Sequence, residues 1–315
     1  MKHFLSVNDV DDVAALVAEA RQHKAAPFAH EELGRRRTIG LVFFNSSLRT
    51  RLSTQRAAQN LGMQVIVLNT GQDAWQLEFS DGTVMDGGSA EHIREAAAVL
   101  GEYCDIIGVR AFPSLKDRDA DEKEEVIGNM VRFSGRPVVS LESATRHPLQ
   151  SLADCMTIEE LHSVPRPKVV LTWAPHPRAL PHAVPNSFVE WMLKRDVDLV
   201  VTHPEGYELS PAFMQEARVE YNQSAAFAGA HFIYAKNWSS YAQYGQRLRE
   251  DYDWMVTASK MAETENAKFM HCLPVRRNVV VEDAVLDSEA SVVIQQAGNR
   301  TWSAQAVLAR ILEAL

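Results

Sequence analysis

A chain of 315 residues, 46% hydrophobic and 23% charged, has ordinary globular composition and enough material for two domains of roughly 150 residues each, which excludes disordered and fibrous classes. No apolar run approaches the roughly 20 residues of a membrane span, and the aspartates of Met1–Asp12 arrive too early for a secretory signal, so the expectation is a cytoplasmic protein without a membrane partner. The formal net charge of -9 opposes a general nucleic-acid role but still permits a local arginine cluster that focuses anions, and three widely spaced cysteines, Cys104, Cys155 and Cys272, support free thiols over a disulfide framework or a four-cysteine metal site.

In chain order, Val10, Val13, Val17 and Ala20 share a helical face, and Thr38 to Phe44 reads as a buried strand. After the polar Asn45-Ser46-Ser47, residues Leu52 to Leu61 suit a helix and Val65 to Leu68 a second strand. A helical pattern from Ser89 to Tyr103 feeds a strand at Asp105 to Val109, and a helix from Glu124 to Phe133 precedes a strand at Pro137 to Leu141. Such alternation predicts a parallel sheet. Pro148 opens a connecting helix through Leu161, proline being tolerated at the first helical position. The second half repeats the pattern: a strand at Val169 to Trp173, a helix at Ser187 to Lys194, a strand at Val197 to Thr202 and a helix from Pro211 capped by Ser210. Strands at Phe232 to Ala235 and Phe269 to Leu273 follow, then an amphipathic helix spacing Val307, Leu308, Ile311, Leu312 and Leu315. The expected fold class is therefore α/β, two domains at 1–147 and 148–300, each a parallel sheet flanked by helices and joined by interdomain helices. The C-terminal helix at 301–315 is assigned to the first domain. There is no internal repeat, and the absence of GxGxxG and GxxxxGK[ST] weakens dinucleotide-dehydrogenase and P-loop readings.

Three strings concentrate chemistry. Phe43-Phe44-Asn45-Ser46-Ser47-Leu48-Arg49-Thr50-Arg51 places hydroxyls, two arginines and helix-start amides at a strand's C-terminal end, where open α/β sheets bind ligands and where a phosphate is favoured; it also reads as a capped helix with surface arginines. Arg146 to Asp154 supplies His147 and Gln150 at another helix start, and a histidine there is either structural or a donor to a carbonyl oxygen. His271-Cys272-Leu273-Pro274 ends a predicted strand, and because neighbours on a strand point oppositely, a Cys–His dyad for covalent catalysis is disfavoured.

Together these strings resemble the aspartate/ornithine transcarbamylase family: its Ser-Thr-Arg-Thr-Arg loop with Leu48 in place of a threonine, its His-Pro-x-Gln-x-Leu-x-Asp motif, and its His-Cys-Leu-Pro motif, in the family's order across both halves. The resemblance implies that carbamoyl phosphate is bound by the first domain through Ser47, Leu48, Arg49, Thr50, Arg110 and His147, with Gln150 just beyond it on the carbamoyl NH2. Cys272 and the Leu273 carbonyl would lie beside the carbamoyl group and the incoming amine, with Arg276 reaching the donor. It further implies direct transfer, with Arg49, Arg110 and His147 stabilising oxygen charge, no cofactor and no metal; the amine's proton acceptor stays open among Cys272, leaving phosphate and solvent.

Departures from the common ornithine enzymes point within the family. Those carry Asp-x-x-x-Ser-Met-Gly where this chain has Ala235-Lys236-Asn237-Trp238-Ser239-Ser240, and Lys236 disfavours a free α-ammonium while suiting an acylated nitrogen. With Trp173-Ala174-Pro175-His176-Pro177-Arg178, this resembles the acylornithine branch. That branch implies Glu142 and His176 as orienters of the amino acid, Lys236 near the acyl group, and a homotrimer in which Trp75 reaches a neighbouring active site, in arginine biosynthesis. Ala90 matches a position that is glutamate in acetyl-specific and proline in succinyl-specific members. Alanine leaves volume and removes a repelling charge, so the expected substrate partner is N-succinylornithine, its distal carboxylate compensated by Lys236 with Arg178 or Arg276. Ala90 also reads as an ordinary residue opening the helix from Ser89. Alternative readings are an N-acetylornithine enzyme, an ordinary ornithine enzyme and a non-catalytic metabolite-binding paralogue; the aspartate branch's signature is absent.

Overall fold

The computed structural model describes every residue except Ala74. The chain divides into two compact units, Met1–Leu149 with Arg300–Leu315, and Gln150–Asn299. The first contains β1 (Thr38–Phe43), β2 (Gln64–Asn69), β3 (Leu77–Glu78), β4 (Glu91–His92), β5 (Ile106–Arg110) and β6 (Val138–Glu142). Four of these form an all-parallel sheet in the order β2-β1-β5-β6, while β3 and β4 pair in a two-residue parallel ribbon. Strand β5, inside the sheet, and β6, at the edge that the Phe4–Val139 bridge covers, are buried along their whole length, as Val/Ile/Leu runs covered on both faces must be, whereas the opposite edge strand β2 leaves Ile66 exposed. Crossover helices Arg49–Asn60, Ile93–Tyr103 and Glu125–Phe133 close the layers.

The second unit contains β7 (Lys168–Trp173), β8 (Asp198–Thr202), β9 (Arg218–Glu220), β10 (Phe232–Lys236) and β11 (Lys268–Met270), also all parallel, in the order β11-β10-β7-β8-β9. Each sheet therefore reverses its winding once, between β1 and β5 in the first unit and between β7 and β10 in the second. At such a switch point the loops leaving the two strands diverge and open a crevice at their carboxyl ends. Arg49 follows β1 and Arg110 ends β5; His176 follows β7 and Lys236 ends β10.

The chain passes between units inside helices Pro148–Leu161 and Val293–Leu312. The latter runs 20 residues, longer than the segment anticipated around Val307 to Leu315. Other boundaries also shift. The helix anticipated from Ser89 starts at Ile93, where the His92 ring accepts from Arg94 N, so Ala90 lies outside it. The helix anticipated from Ser187 spans Ala183–Met192, with Pro185 in its first turn, where no intrahelical N–H is needed. Ser210 makes no side-chain cap, and the helix it precedes is only Pro211–Met214. The strand anticipated through Leu273 stops at Met270. Among the described residues, no helix is long and apolar enough to cross a membrane.

Candidate active site

In the first unit, helix Arg49–Asn60 begins without a side-chain cap, Leu48 standing at the N-cap position 65% exposed, so its first amides are presented beside Ser47 for a ligand. Thr50, one position into the helix, is buried. Strand pairing between β5 and β6 skips one residue: Val109 pairs with Ser140 but Arg110 with Glu142. That irregularity sets a cation opposite a carboxylate at the sheet's carboxyl end. Arg110 Nη1 lies 2.6 Å from Glu142 Oε2 and donates to Thr50 Oγ1 at 3.2 Å, while its guanidinium stacks 4.4 Å over Phe112. His147 Nε2 is 3.5 Å from the same Glu142 oxygen. Arg300, on the C-terminal helix, donates from Nη2 to Thr50 Oγ1 and lies 3.3 Å from His147 Nε2. Two guanidinium groups thus meet at one threonine hydroxyl, with the His147 imidazole beside Arg300 and Glu142 the carboxylate among them.

Burial first, then Arg300, Arg110 and Arg49, hold the His147 imidazole well below its ordinary value. Arginine only donates, so the neutral ring accepts on Nε2 and keeps its proton on Nδ1, the nitrogen able to donate to a carbonyl oxygen. Between the depressed native value and 6.5 the unfolded chain binds this proton and the native chain does not. His147 therefore contributes stability above that window and loses it as pH falls. Urea unfolding between pH 7.5 and 5 is expected to show wild type losing stability more steeply than His147→Gln, by up to about 1.4 kcal/mol per pH unit. Parallel curves would mean that the native ring is protonated.

Trp75 and Ala90 form a separate group on the β3–β4 ribbon. The Trp75 indole, 59% exposed, donates to Glu91 Oε2 at 2.7 Å, and Ala90 N donates to Gln76 O at 3.2 Å.

In the second unit the segment after β10 is clamped by aromatic donors: Trp173 Nε1 to Trp238 O at 2.9 Å and Trp238 Nε1 to Tyr207 O at 2.7 Å. Asn237 Nδ2 bonds Ala174 O at 2.7 Å, which ties the His176 loop to the same place. Lys236, 8% exposed, donates from its ammonium to the Asn237 carbonyl at 3.1 Å. Arg276 Nε donates to His176 Nε2 at 3.1 Å, which leaves the ring's proton on Nδ1, the nitrogen that donates to the Arg178 carbonyl at 2.9 Å. Burial lowers the His176 pKa, and Lys236, Arg276 and Arg178 lower it further against the Arg178 backbone bond, which raises it. Arg276, anticipated as a donor ligand, thus meets His176. Cys272 is buried, and Leu273 takes a left-handed backbone at φ 55°. Tyr234 is pushed well above its ordinary range by burial and by nearby Asp154 and Cys272, so it stays a neutral phenol and is no base for the amine.

The chain matches the carbamoyl-P binding domain of aspartate/ornithine carbamoyltransferase over residues 2–160 and the Asp/Orn binding domain over 182–311. It belongs to that family. This carbamoyltransferase is 56% identical over 317 aligned residues to an N-succinylornithine carbamoyltransferase from Bacteroides thetaiotaomicron, covering all of both chains. It is 38% identical to an N-acetylornithine carbamoyltransferase from Xanthomonas campestris, covering 99% of this chain and 98% of the relative. A solved N-acetyl-L-ornithine transcarbamylase, a glutamate-to-alanine variant complexed with carbamyl phosphate and N-succinyl-L-norvaline, superposes with a TM-score of 0.91 at 36% identity, covering 99% and 100% of the two chains. Sequence reasoning did not single out Arg300. Its signal was a buried polar stripe, Gln296, Asn299, Arg300, Ser303 and Gln305, on a helix whose apolar residues alone had been read.

Proposed function

We propose that this carbamoyltransferase carries the carbamoyl group of carbamoyl phosphate to the side-chain amine of N-succinyl-L-ornithine, giving N-succinyl-L-citrulline and phosphate, within arginine biosynthesis. One observation carries the choice of acceptor: Lys236, Arg178 and Arg276 gather around His176, and none of the three cations has a carboxylate partner among the described residues. N-succinylornithine brings two carboxylates to such a cluster and acetylornithine one, while free ornithine adds an α-ammonium that the cluster repels. The names of the relatives agree with this reading.

In the proposed reaction the helix-start amides at Ser47 to Thr50, with Arg49, Arg110 and Arg300, hold the phosphate oxygens, and His147 donates from Nδ1 to the carbamoyl oxygen. Gln150 accepts from the carbamoyl NH2; Cys272 and the Leu273 carbonyl attend the amine. The neutral amine forms its C–N bond as the C–O bond to phosphate breaks; phosphate leaves with the electron pair and the amine sheds a proton. Glu142 and His176 orient the amino acid. We further assign a homotrimer in which Trp75 serves a neighbouring site, supported by Leu52, Ile66, Val84 and Trp75 lying exposed on the first unit.

Phosphate release measured with carbamoyl phosphate and ornithine, N-acetylornithine or N-succinylornithine is expected to be fastest with the succinyl compound. Equal or faster turnover of acetylornithine would overturn the acyl assignment, and release indifferent to any amine would overturn transfer itself. Sedimentation of the active species as a monomer would remove the shared site.

A further inference from the structure

A single buried carboxylate orders the amides of the second unit. Asp154 Oδ1 accepts from Gln150 Nε2 at 2.8 Å and from Gln296 Nε2 at 2.7 Å. Gln296 Oε1 in turn accepts from His271 N at 2.9 Å, and His271 Nδ1 accepts from Leu273 N at 2.9 Å. The chain of bonds runs from Gln150 to the backbone at Leu273, and Gln150, Asp154 and Gln296 are all fully buried.

A primary amide has two faces of opposite polarity and nearly equal shape, so something must choose between them. A carboxylate only accepts, and it therefore fixes the NH2 face of both glutamines toward itself. For Gln296 the consequence is an oxygen turned to the His271 amide. For Gln150 it is an oxygen, Oε1, that no donor among the described residues meets although the residue is fully buried. A buried acceptor without a donor costs about 1–3 kcal/mol, so the protein keeps an acceptor open for a ligand.

We propose that Asp154 is a positioning residue that fixes the Gln150 amide with its oxygen outward, and that it thereby makes the enzyme select a donor bearing N–H over one of the same shape without it. This rests on the carbamoyl-transfer reading, in which the selected group is the carbamoyl NH2. Acetyl phosphate has a methyl group in that place and is the discriminating probe.

The experiment compares the KM for carbamoyl phosphate with the inhibition constant of acetyl phosphate, in wild type and in Asp154→Asn. Asparagine offers a donor and an acceptor, so both orientations of Gln150 are satisfied and the choice is lost. The preference for carbamoyl over acetyl phosphate is expected to fall roughly 10-fold or more, as loss of one oriented hydrogen bond implies, with acetyl phosphate binding little changed. Asp154→Ser, smaller and equally ambiguous in polarity, carries the same expectation should the asparagine variant not fold. Gln150→Met should erase the preference, and adding Asp154→Asn to it should reduce it no further, because the carboxylate acts through Gln150. An unchanged preference, or equal weakening of both ligands, would overturn the inference. Failure of the wild-type enzyme to transfer carbamoyl would instead overturn the reading beneath it.

Discussion

Arg110→Gln is expected to lower kcat/KM for carbamoyl transfer by roughly 10²–10³, the usual cost of deleting one preorganised donor to developing oxygen charge. Arg110 is 8% exposed, bonded to Glu142 and Thr50 and stacked on Phe112, so its guanidinium is held in place before any substrate arrives. The same change leaves the Glu142 carboxylate buried without its 2.6 Å partner, which by itself destabilises by about 3–5 kcal/mol. Stability and chemistry are separable in the double variant Arg110→Gln/Glu142→Gln, where a neutral pair replaces the ionic one. Its melting temperature should recover most of the loss and its turnover should not. Recovery of both would show that Arg110 serves only to satisfy Glu142.

Ala90→Glu is expected to reduce the preference for N-succinylornithine over N-acetylornithine by roughly 10²-fold, because like charges brought together at a binding site cost several kcal/mol. The variant should fold as well as wild type. Ala90 is exposed, is held through its backbone N–H to Gln76 O, and does not belong to the helix that begins at Ile93. A lost preference with unchanged melting temperature and unchanged KM for carbamoyl phosphate is the expected pattern. Retention of the wild-type preference would place Ala90 away from the acyl group and leave Lys236, Arg178 and Arg276 as the only determinants.

Most of the architecture was readable because parallel strands buried on both faces appear as apolar runs, and the intervening helices show their own period. What escaped lacked a period. Leu77–Glu78 and Glu91–His92 are strands of two residues each, too short to alternate, and they moved the start of the next helix to Ile93. The strand at Phe269 ends early because the His271 amide is taken by Gln296, 25 residues away, and Leu273 turns left-handed; neither fact is local. The polar turns at Ser47 to Thr50 and at His147 announced themselves by composition. Arg300 did not, since it lies within a helix and its partners Thr50 and His147 are 250 and 153 residues distant. The skipped residue that sets Arg110 opposite Glu142 likewise leaves no trace in either strand's sequence.

The β3–β4 ribbon also bears on how such an enzyme changes its diet over generations. Ala90, Trp75 and the intervening residues Asp81 to Gly88 lie largely in solvent, and side chains added at Gly71, Gly82, Gly87 or Gly88 would strike nothing, although Gly71 and Gly82 hold positive φ. Substitution around Ala90 thus disturbs little of the core, and alanine codons stand a single base from proline codons and, for some, from glutamate codons. Asp154 is placed oppositely: two glutamines and, through them, a stretch of backbone depend on it. Where Ala90→Glu shifts the acyl preference as expected, drift in the acyl group accepted is open to gradual selection with the fold intact, whereas drift in the group transferred would have to pass through variants that misplace several amides at once.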